Sequence, residues 1–397
     1  MKHKLLHTPE GVRDIYNEEC EKKLVLQERL HDTLKGFGYH NIQTPTFEFF
    51  DIFGKEIGTT PSKELYKFFD RQGNTLVLRP DITPSIARSV AKYFTDEDMP
   101  IRLSYIGNTF INNHSYQGRL KECTQLGAEL IGDNTVDADA EIISMIVNSL
   151  KACGLKEFQI SIGHADILRG MMEAAGLDEE QEERMRELIA NKNFFGVEEE
   201  IEEAAIDCHL KELFGLLGKI YNEGGDFAEA KTLSHSYPQI AGALERLEEL
   251  DNVLKIYGVD KYVSYELGMI SSYSYYTGII FAGYTFGSGE MIVKGGRYDK
   301  LLPYFGKNAA SIGFAFTVDQ LMMALSRQKI EIPLENDTEL IVYSANHQKS
   351  AIGMAKILRG EGRRVELIRR DKTKTKADYE AYQKRNKLAA LTWMEEE

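Results

Sequence analysis

The sequence predicts an α+β fold: an antiparallel sheet with flanking helices, interrupted by a helical insertion and followed by a small C-terminal α/β unit. Three observations predict it. Short β-branched or aromatic runs follow one another without helical crossovers, among them SYIGNTFINNH, CTQLGAELIG, YVSYELGMI, YSYYTGIIFAGYTF and MIVKGGRYD. Strands joined so directly pair antiparallel. The stretch 165–255 instead carries apolar residues at helical spacing with few β-branched ones. Within it, residues 178–204 hold eleven acidic and three basic side chains, the mark of solvated helix faces. Residues 337–397 read strand, helix, strand, helix, strand, from ELIVYSA through HQKSAIGMAKILRGEG and RRVELIR to LAALTWM.

Taken in order, CEKKLVLQERLHDTLKGFG reads as the first long helix, and NIQTPTF and TLVLRP as short strands, the former ended by Pro45. Asp137, Asp139 and Glu141 of TVDADAE are read as the first turn of a helix, where carboxylates meet the positive end of the macrodipole, in preference to a metal site. EFQISIGH supplies another strand, and the Pro-containing IEIPLENDT links to the last unit. The expected division is a core of residues 1–330, with its helical insertion at about 165–255, and a C-terminal domain at 337–397.

Composition excludes several functions. At 397 residues and 43% apolar, the chain is long enough for two or three units with a sizeable core. A formal charge of −14 argues against general nucleic-acid binding, which phosphate neutralisation drives. The basic run at 363–388, ten cations against four anions, is read as a solvated helix and loop. Cys20, Cys123, Cys153 and Cys208 form no CxxC pair, so neither a disulfide framework nor a zinc ribbon is expected. No apolar run approaches the roughly 18 residues of a membrane span, and the opening MKHKLLHTPEGVRD lacks the apolar core of a secretory signal. The expected location is cytoplasmic. There is no GxxxxGK[ST], no GxGxxG opening a helix, no HExxH and no GxSxG. His164, His209 and His235 are scattered, and no cofactor or metal is expected.

A set of segments carries more information together than singly: TPEGVRDIY, GYHNIQTPTFEFFDIF, LRPDIT at 78–83, FINNHSYQGRLKECTQLGAELIG at 110–132, SYYTGIIF at 274–281, GGRYDKL at 295–301 and SIGFAFTVDQL at 311–321. In this order and spacing they resemble the class II aminoacyl-tRNA synthetase core, that of histidyl-tRNA synthetase in particular. The resemblance spans nearly the whole chain. It implies that the last unit stands in the place of a reduced anticodon-binding domain.

Adenylate formation brings two anions together and needs fixed positive charge, typically arginine forks. The synthetases carry an Arg and a Glu two residues apart in motif 2. Here Phe110 and Gly118-Arg119 keep that frame, but the two positions read Ile111 and Asn113. The motif 3 arginine is Gln320, and the arginine four residues ahead of Tyr275 and Tyr276 is Ser271. None of these replacements makes a charged bidentate fork, so no catalytic residue is assigned. The histidine-binding positions of the family instead map onto Asp81, Thr83, Gln125, Glu129, Tyr276 and Tyr298, all chemically suitable, with Asp81 where the synthetase has Glu.

This combination resembles the histidyl-tRNA synthetase-like regulatory subunits of ATP phosphoribosyltransferase. It implies a non-catalytic chain that supports a short-form catalytic subunit and confers feedback inhibition by L-histidine in the first step of histidine biosynthesis. It also implies a homodimer built partly around Pro45, within a hetero-octamer. No acidic-pair loop for phosphoribosyl pyrophosphate is present, which agrees with that division of labour. The alternatives are a tRNA-binding or sensing paralogue and an active histidyl-tRNA synthetase.

Overall fold

The computed structural model describes residues 6–54, 60–97, 99–113, 120–202, 206–222, 227–270, 275–335 and 337–395. These fall into two compact units, Met1–Ile332 and Pro333–Glu397.

In the first unit the strands are β1 (His40–Asn41), β2 (Phe47–Phe49), β3 (Lys67–Phe69), β4 (Thr75–Leu78), β5 (Ile101–Phe110), β6 (Glu122–Ile131), β7 (Phe158–His164), β8 (Ile220–Asn222), β9 (Val263–Glu266), β10 (Ile279–Thr285), β11 (Val293–Arg297) and β12 (Ser311–Thr317). The helices are α1 (Asn17–Gly36), α2 (Thr83–Tyr93), α3 (Val136–Ala152), α4 (Ala165–Ala175), α5 (Glu179–Ala190), α6 (Phe194–Glu202), α7 (Cys208–Gly215), α8 (Ala228–Leu233), α9 (Pro238–Tyr257), α10 (Leu301–Tyr304) and α11 (Val318–Arg327). Nine strands form the main sheet in the order β1-β5-β6-β12-β11-β10-β7-β9-β8, and β2-β4-β3 form a small one.

The sheet is antiparallel as expected across β5, β6, β12, β11, β10 and β7, but two of its pairs are parallel: β1 with β5 and β7 with β9. Both pairs are separated in sequence by long connections containing helices, the crossover that parallel pairing requires. The acidic helical insertion is therefore also the crossover from β7 to β9. That block is not wholly helical. Ile220–Asn222 forms β8, antiparallel to β9 at the sheet edge, where Tyr221 is buried against Phe227 with ring centroids 5.3 Å apart. Its β-branched and aromatic residues suit a pleated edge better than another helical turn. NIQTPTF likewise is not one strand: β1 stops at Asn41 and β2 begins at Phe47. Between them the Thr44 and Pro45 carbonyls accept from the Arg79 guanidinium at 2.9 and 3.2 Å.

The two sheet faces have different uses. Leu26, Leu30 and Leu34 of α1, Ile142, Ile143 and Ile146 of α3, and Leu244 and Leu247 of α9 pack against Leu126, Ala128 and Leu130 of β6 and Phe314 and Phe316 of β12. Side chains alternate along a strand, so Gln125, Gly127 and Glu129 face the other way. There Ile82 and, from α2, Ile86 and Val90 lie over Leu103 and Tyr105, next to Tyr275, Tyr276 and Tyr298. One face is core; the other holds a site.

TVDADAE does open a helix: Thr135 caps α3, its hydroxyl accepting from Ala138 N at 3.3 Å. Asp139 does more than meet the dipole. It is fully buried and binds Arg297 of β11 at 2.5 Å and Arg246 of α9 at 2.6 Å. His164 is the buried cap of α4, its Nδ1 accepting from Asp166 N, and burial lowers its pKa to about 4. Among the described residues no group of three or more His, Cys, Asp and Glu is placed to hold a metal ion, and no helix is long and apolar enough to cross a membrane.

The second unit contains β13 (Glu339–Tyr343), α12 (Gln348–Gly360), β14 (Val365–Arg369), α13 (Lys376–Arg385) and β15 (Ala390–Met394) in a parallel sheet ordered β14-β13-β15. Ile341 and Tyr343 pack with Ala351, Ala355 and Leu358 of α12, while Leu340 and Val342 pack with Tyr379 of α13. A central strand covered on both faces reads as the continuous apolar run that LIVY is.

Candidate functional site

LRPDIT is fixed before any ligand is considered. Arg79 is 5% exposed; its Nε donates to Asn108 O at 2.9 Å, its backbone N to Thr46 O at 3.0 Å, and its carbonyl accepts from Phe110 N at 3.0 Å. Gly107 makes room for it: a Cβ there would lie 2.0 Å from Arg79 Nη2. Pro80 follows and α2 begins at Thr83, so Asp81 stands at a helix N-terminus, where backbone N–H groups favour an anion. Its Oδ1 accepts from Ile82 N at 2.8 Å and its Oδ2 from Tyr275 Oη at 3.3 Å.

Glu129 projects from the middle of β6 and is 1% exposed. Thr83 Oγ1 donates to Oε1 at 2.7 Å and Tyr298 Oη to Oε2 at 2.5 Å. Glycine opposite makes this position possible. A Cβ on Gly313 would lie 1.6 Å from Glu129 Oε2, and one on Gly296, the next strand over, 2.8 Å from the Tyr276 ring. The pocket floor is therefore bare backbone, with the functional groups arranged around it.

Asp81, Thr83, Gln125, Glu129, Tyr276 and Tyr298 line one small cavity. All six residues named from the sequence are thus brought together. The same cavity is lined by Tyr275, Lys294, Gly313, Phe314 and Ala315. Tyr275 and Lys294 are not among the binding positions that the resemblance implies. The signal was available for Lys294, since Lys294, Gly296 and Tyr298 share one face at strand period two.

The electrostatics follow from burial. Loss of water raises the Glu129 pKa from 4.5 to about 8, against the lowering effect of the Tyr298 and Thr83 hydrogen bonds. Burial also raises the Asp81 pKa, opposed first by the positive charge of Lys294 and then by the bonds from Ile82, Thr83 and Tyr275. Burial and the neighbouring Glu129 push the Tyr298 phenol well above its ordinary range, so it is a hydrogen-bond donor throughout neutral pH. The pocket offers carboxyl, hydroxyl and amide groups and one ammonium in a small, largely dry space. A small zwitterion with an N–H-bearing ring fits that inventory.

A wider cleft of about 480 Å³ adjoins it, sharing Gln125 and Lys294. Ile111, Asn113 and Gln320 all line this cleft, with Lys121 and Glu290. Gln320 Nε2 donates to Glu290 Oε2 at 3.2 Å, and Asp319 holds the base of α11 by accepting from Thr124 N at 2.7 Å and Lys23 at 2.8 Å. No arginine is among the described residues lining the cleft. Ser271, Gly118 and Arg119 lie outside the described residues.

Comparison with known proteins places this geometry. The histidyl-tRNA synthetase family model matches residues 11–321. The chain is 42% identical to an ATP phosphoribosyltransferase regulatory subunit of Acetivibrio thermocellus, over 91% of this chain and 86% of that one. It is 36% identical to the same-named protein of Caldanaerobacter subterraneus, over 91% and 94%. A crystal structure from Bacillus halodurans, described as an ATP phosphoribosyltransferase regulatory subunit/histidyl-tRNA synthetase, superposes with TM-score 0.85 at 30% identity, covering 99% of both chains. Histidyl-tRNA synthetase from Nostoc, at 18% identity and TM-score 0.79 over 96% of this chain and 90% of that one, shares the fold. The α+β architecture is thus that of the class II synthetases, and the chain belongs to the ATP phosphoribosyltransferase regulatory-subunit branch of the histidyl-tRNA synthetase family.

Proposed function

We propose that this chain is the non-catalytic regulatory subunit of an ATP phosphoribosyltransferase, needed for the activity of a short-form catalytic subunit and for its feedback inhibition by histidine. One observation carries the reading: a buried pocket lined by Asp81, Thr83, Gln125, Glu129, Tyr276 and Tyr298 adjoins a cleft whose described lining has no arginine. In the pocket, Asp81 and Thr83 suit an α-ammonium, and Glu129 and the hydroxyls of Tyr276 and Tyr298 suit an imidazole. In the cleft, Ile111 and Gln320 stand where the synthetases keep arginines, as Ser271 does elsewhere in the chain. Loss of one preorganised charged donor costs on the order of 10²–10³ in rate. Losing several leaves an amino-acid binder without an activation step.

The chain acts as a homodimer in this reading. Phe47, Phe49 and Phe69 of the small sheet beside Pro45 are 52%, 54% and 72% exposed, an apolar concentration that supports a subunit contact. The catalytic subunit completes a cytoplasmic hetero-octamer. tRNA is not a partner, because the net charge of −14 opposes it and the basic run of the second unit is partly engaged by Glu339 and Glu395.

The test is reconstitution with a short-form phosphoribosyltransferase. The chain should co-purify with that subunit and switch it on, and histidine should then switch the complex down. A Glu129→Ala complex should assemble and turn over yet ignore histidine. Normal inhibition of that complex, or its failure to assemble, would remove the pocket from the sensor role. Histidine-dependent exchange of pyrophosphate into ATP above background would establish the synthetase alternative, and salt-sensitive tRNA retention the tRNA-binding one.

A further inference from the structure

The pocket and the cleft meet at two side chains, Gln125 and Lys294. Gln125 is 7% exposed, and its Oε1 is buried with no hydrogen-bond partner among the described groups. A buried amide oxygen left unpaired is costly and calls for an N–H donor. Lys294 is half-buried on β11, opposite Ala282 of β10 and Ala315 of β12, whose small side chains leave space around its stem. Its charge is felt at Asp81. Among the described residues lining the smaller cavity, Lys294 is the cation and Asp81 and Glu129 are the carboxyl groups.

We infer that Lys294 is the α-carboxylate subsite of this pocket, and that the regulator recognises only a free α-amino acid. The inference rests on the histidine reading given above and deepens it. A zwitterion entering the seam sets its ammonium against Asp81 and the unpaired Gln125 oxygen, and its carboxylate against Lys294. The ring then reaches Glu129 and Tyr298. Without Lys294 the ligand's carboxylate would enter a dry pocket that already holds two acidic side chains, with no cation to compensate. The charge comes from a strand neighbour of the pocket floor, so it is separate from the three replaced positions Ile111, Ser271 and Gln320. Lys294 also faces the cleft, so the carboxylate is held at the mouth of the larger space. A histidine whose carboxyl is esterified, amidated or reduced to an alcohol loses the ion pair there. The regulator thereby favours the free amino acid over forms whose carboxyl is linked or reduced.

The experiment is calorimetric titration of the full-length chain with L-histidine, its amino alcohol and its methyl ester. Charge-assisted hydrogen bonds of this kind are worth roughly one to two powers of ten in affinity. The wild-type protein should therefore prefer the acid over the alcohol and ester by on the order of 10- to 100-fold. Lys294→Met should weaken histidine by that factor and leave the alcohol nearly unchanged, erasing the discrimination. Lys294→Arg should retain part of it. Equal wild-type affinity for acid and alcohol overturns the inference without any variant, as does a Lys294→Met protein that keeps the wild-type preference. Wild-type protein that binds none of the three ligands overturns the histidine reading itself, a distinct result.

Discussion

On the proposed reading, Glu129 makes histidine binding a proton-counting problem. Its carboxyl holds a proton up to about pH 8 because burial penalises the charged form. Free imidazole titrates near about 6.5. Between those values the empty pocket brings one proton and the ligand ring none, and the complex shares that single proton between carboxyl and ring. Binding there should neither take up nor release protons. Below about pH 6.5 the ring arrives charged, so one proton must leave, and affinity should fall about tenfold per unit. Above about pH 8 the pocket arrives ionised, one proton must be taken up, and affinity should again fall about tenfold per unit. At pH 9.5 that amounts to about 30-fold from this group alone. The perturbation that isolates it is Glu129→Gln, which keeps the shape and removes the titration. Calorimetry in buffers of different ionisation enthalpy reads proton uptake directly. The wild type should show uptake above pH 8 that the variant lacks; any uptake common to both belongs to the ligand's α-amino group. Identical alkaline uptake in the two proteins would refute the reasoning. The same group shapes stability in the opposite sense to a salt-bridged carboxylate. Its folded-state pKa lies above the unfolded value of about 4.5. The unliganded protein should therefore be most stable below pH 4.5 on this account and lose about 1.4 kcal/mol per unit as pH rises to about 8. Denaturant titrations of wild type and Glu129→Gln at pH 5, 6 and 7 should differ by that slope.

Other substitutions test separate parts of the argument. Gly313→Ala places a methyl carbon 1.6 Å from where Glu129 Oε2 lies; the carboxylate must move, and histidine binding should fall at least about 100-fold by calorimetry while the second unit's stability is unaffected. Asp139→Ala leaves Arg297 and Arg246 without their shared partner, Arg297 in a fully buried setting, and should cost about 3–5 kcal/mol in chemical denaturation. Ile111→Arg should restore no pyrophosphate exchange, because the groups of an adenylation site act as a set. Replacing Phe47 and Phe49 together by Asp should turn a dimer into a monomer in analytical ultracentrifugation if the small sheet is the subunit contact.

Much of the α+β architecture was legible in strand-length apolar runs and helical periodicity, since those patterns report which faces of an element can be buried. The segments that end up around the pocket were legible too, through the resemblance of LRPDIT, the Gln125–Glu129 run and GGRYD, in order and spacing, to the histidyl-tRNA synthetase core. What the sequence could not supply was set by partners distant in the chain. β8 reads as helix in its acidic surroundings and becomes a strand because β9 offers an edge to pair with. β1 pairs with β5, and β7 with β9, in parallel because the connections before β5 and β9 return the chain in the same direction. Asp139 reads as a first-turn carboxylate, and only the approach of Arg297 from β11 and Arg246 from α9 makes it a buried anchor. Lys294 reads as one surface lysine among many until the register of β10, β11 and β12 sets it between the pocket and the cleft. By itself the sequence determined the chemical types available, because those are local, and its resemblance to the synthetases implied which of them would bind an amino acid; the tertiary structure decided that they surround one small cavity, that burial raises the Glu129 pKa to about 8, and that a cation stands at its mouth, because burial, dielectric and proximity are properties of the whole fold.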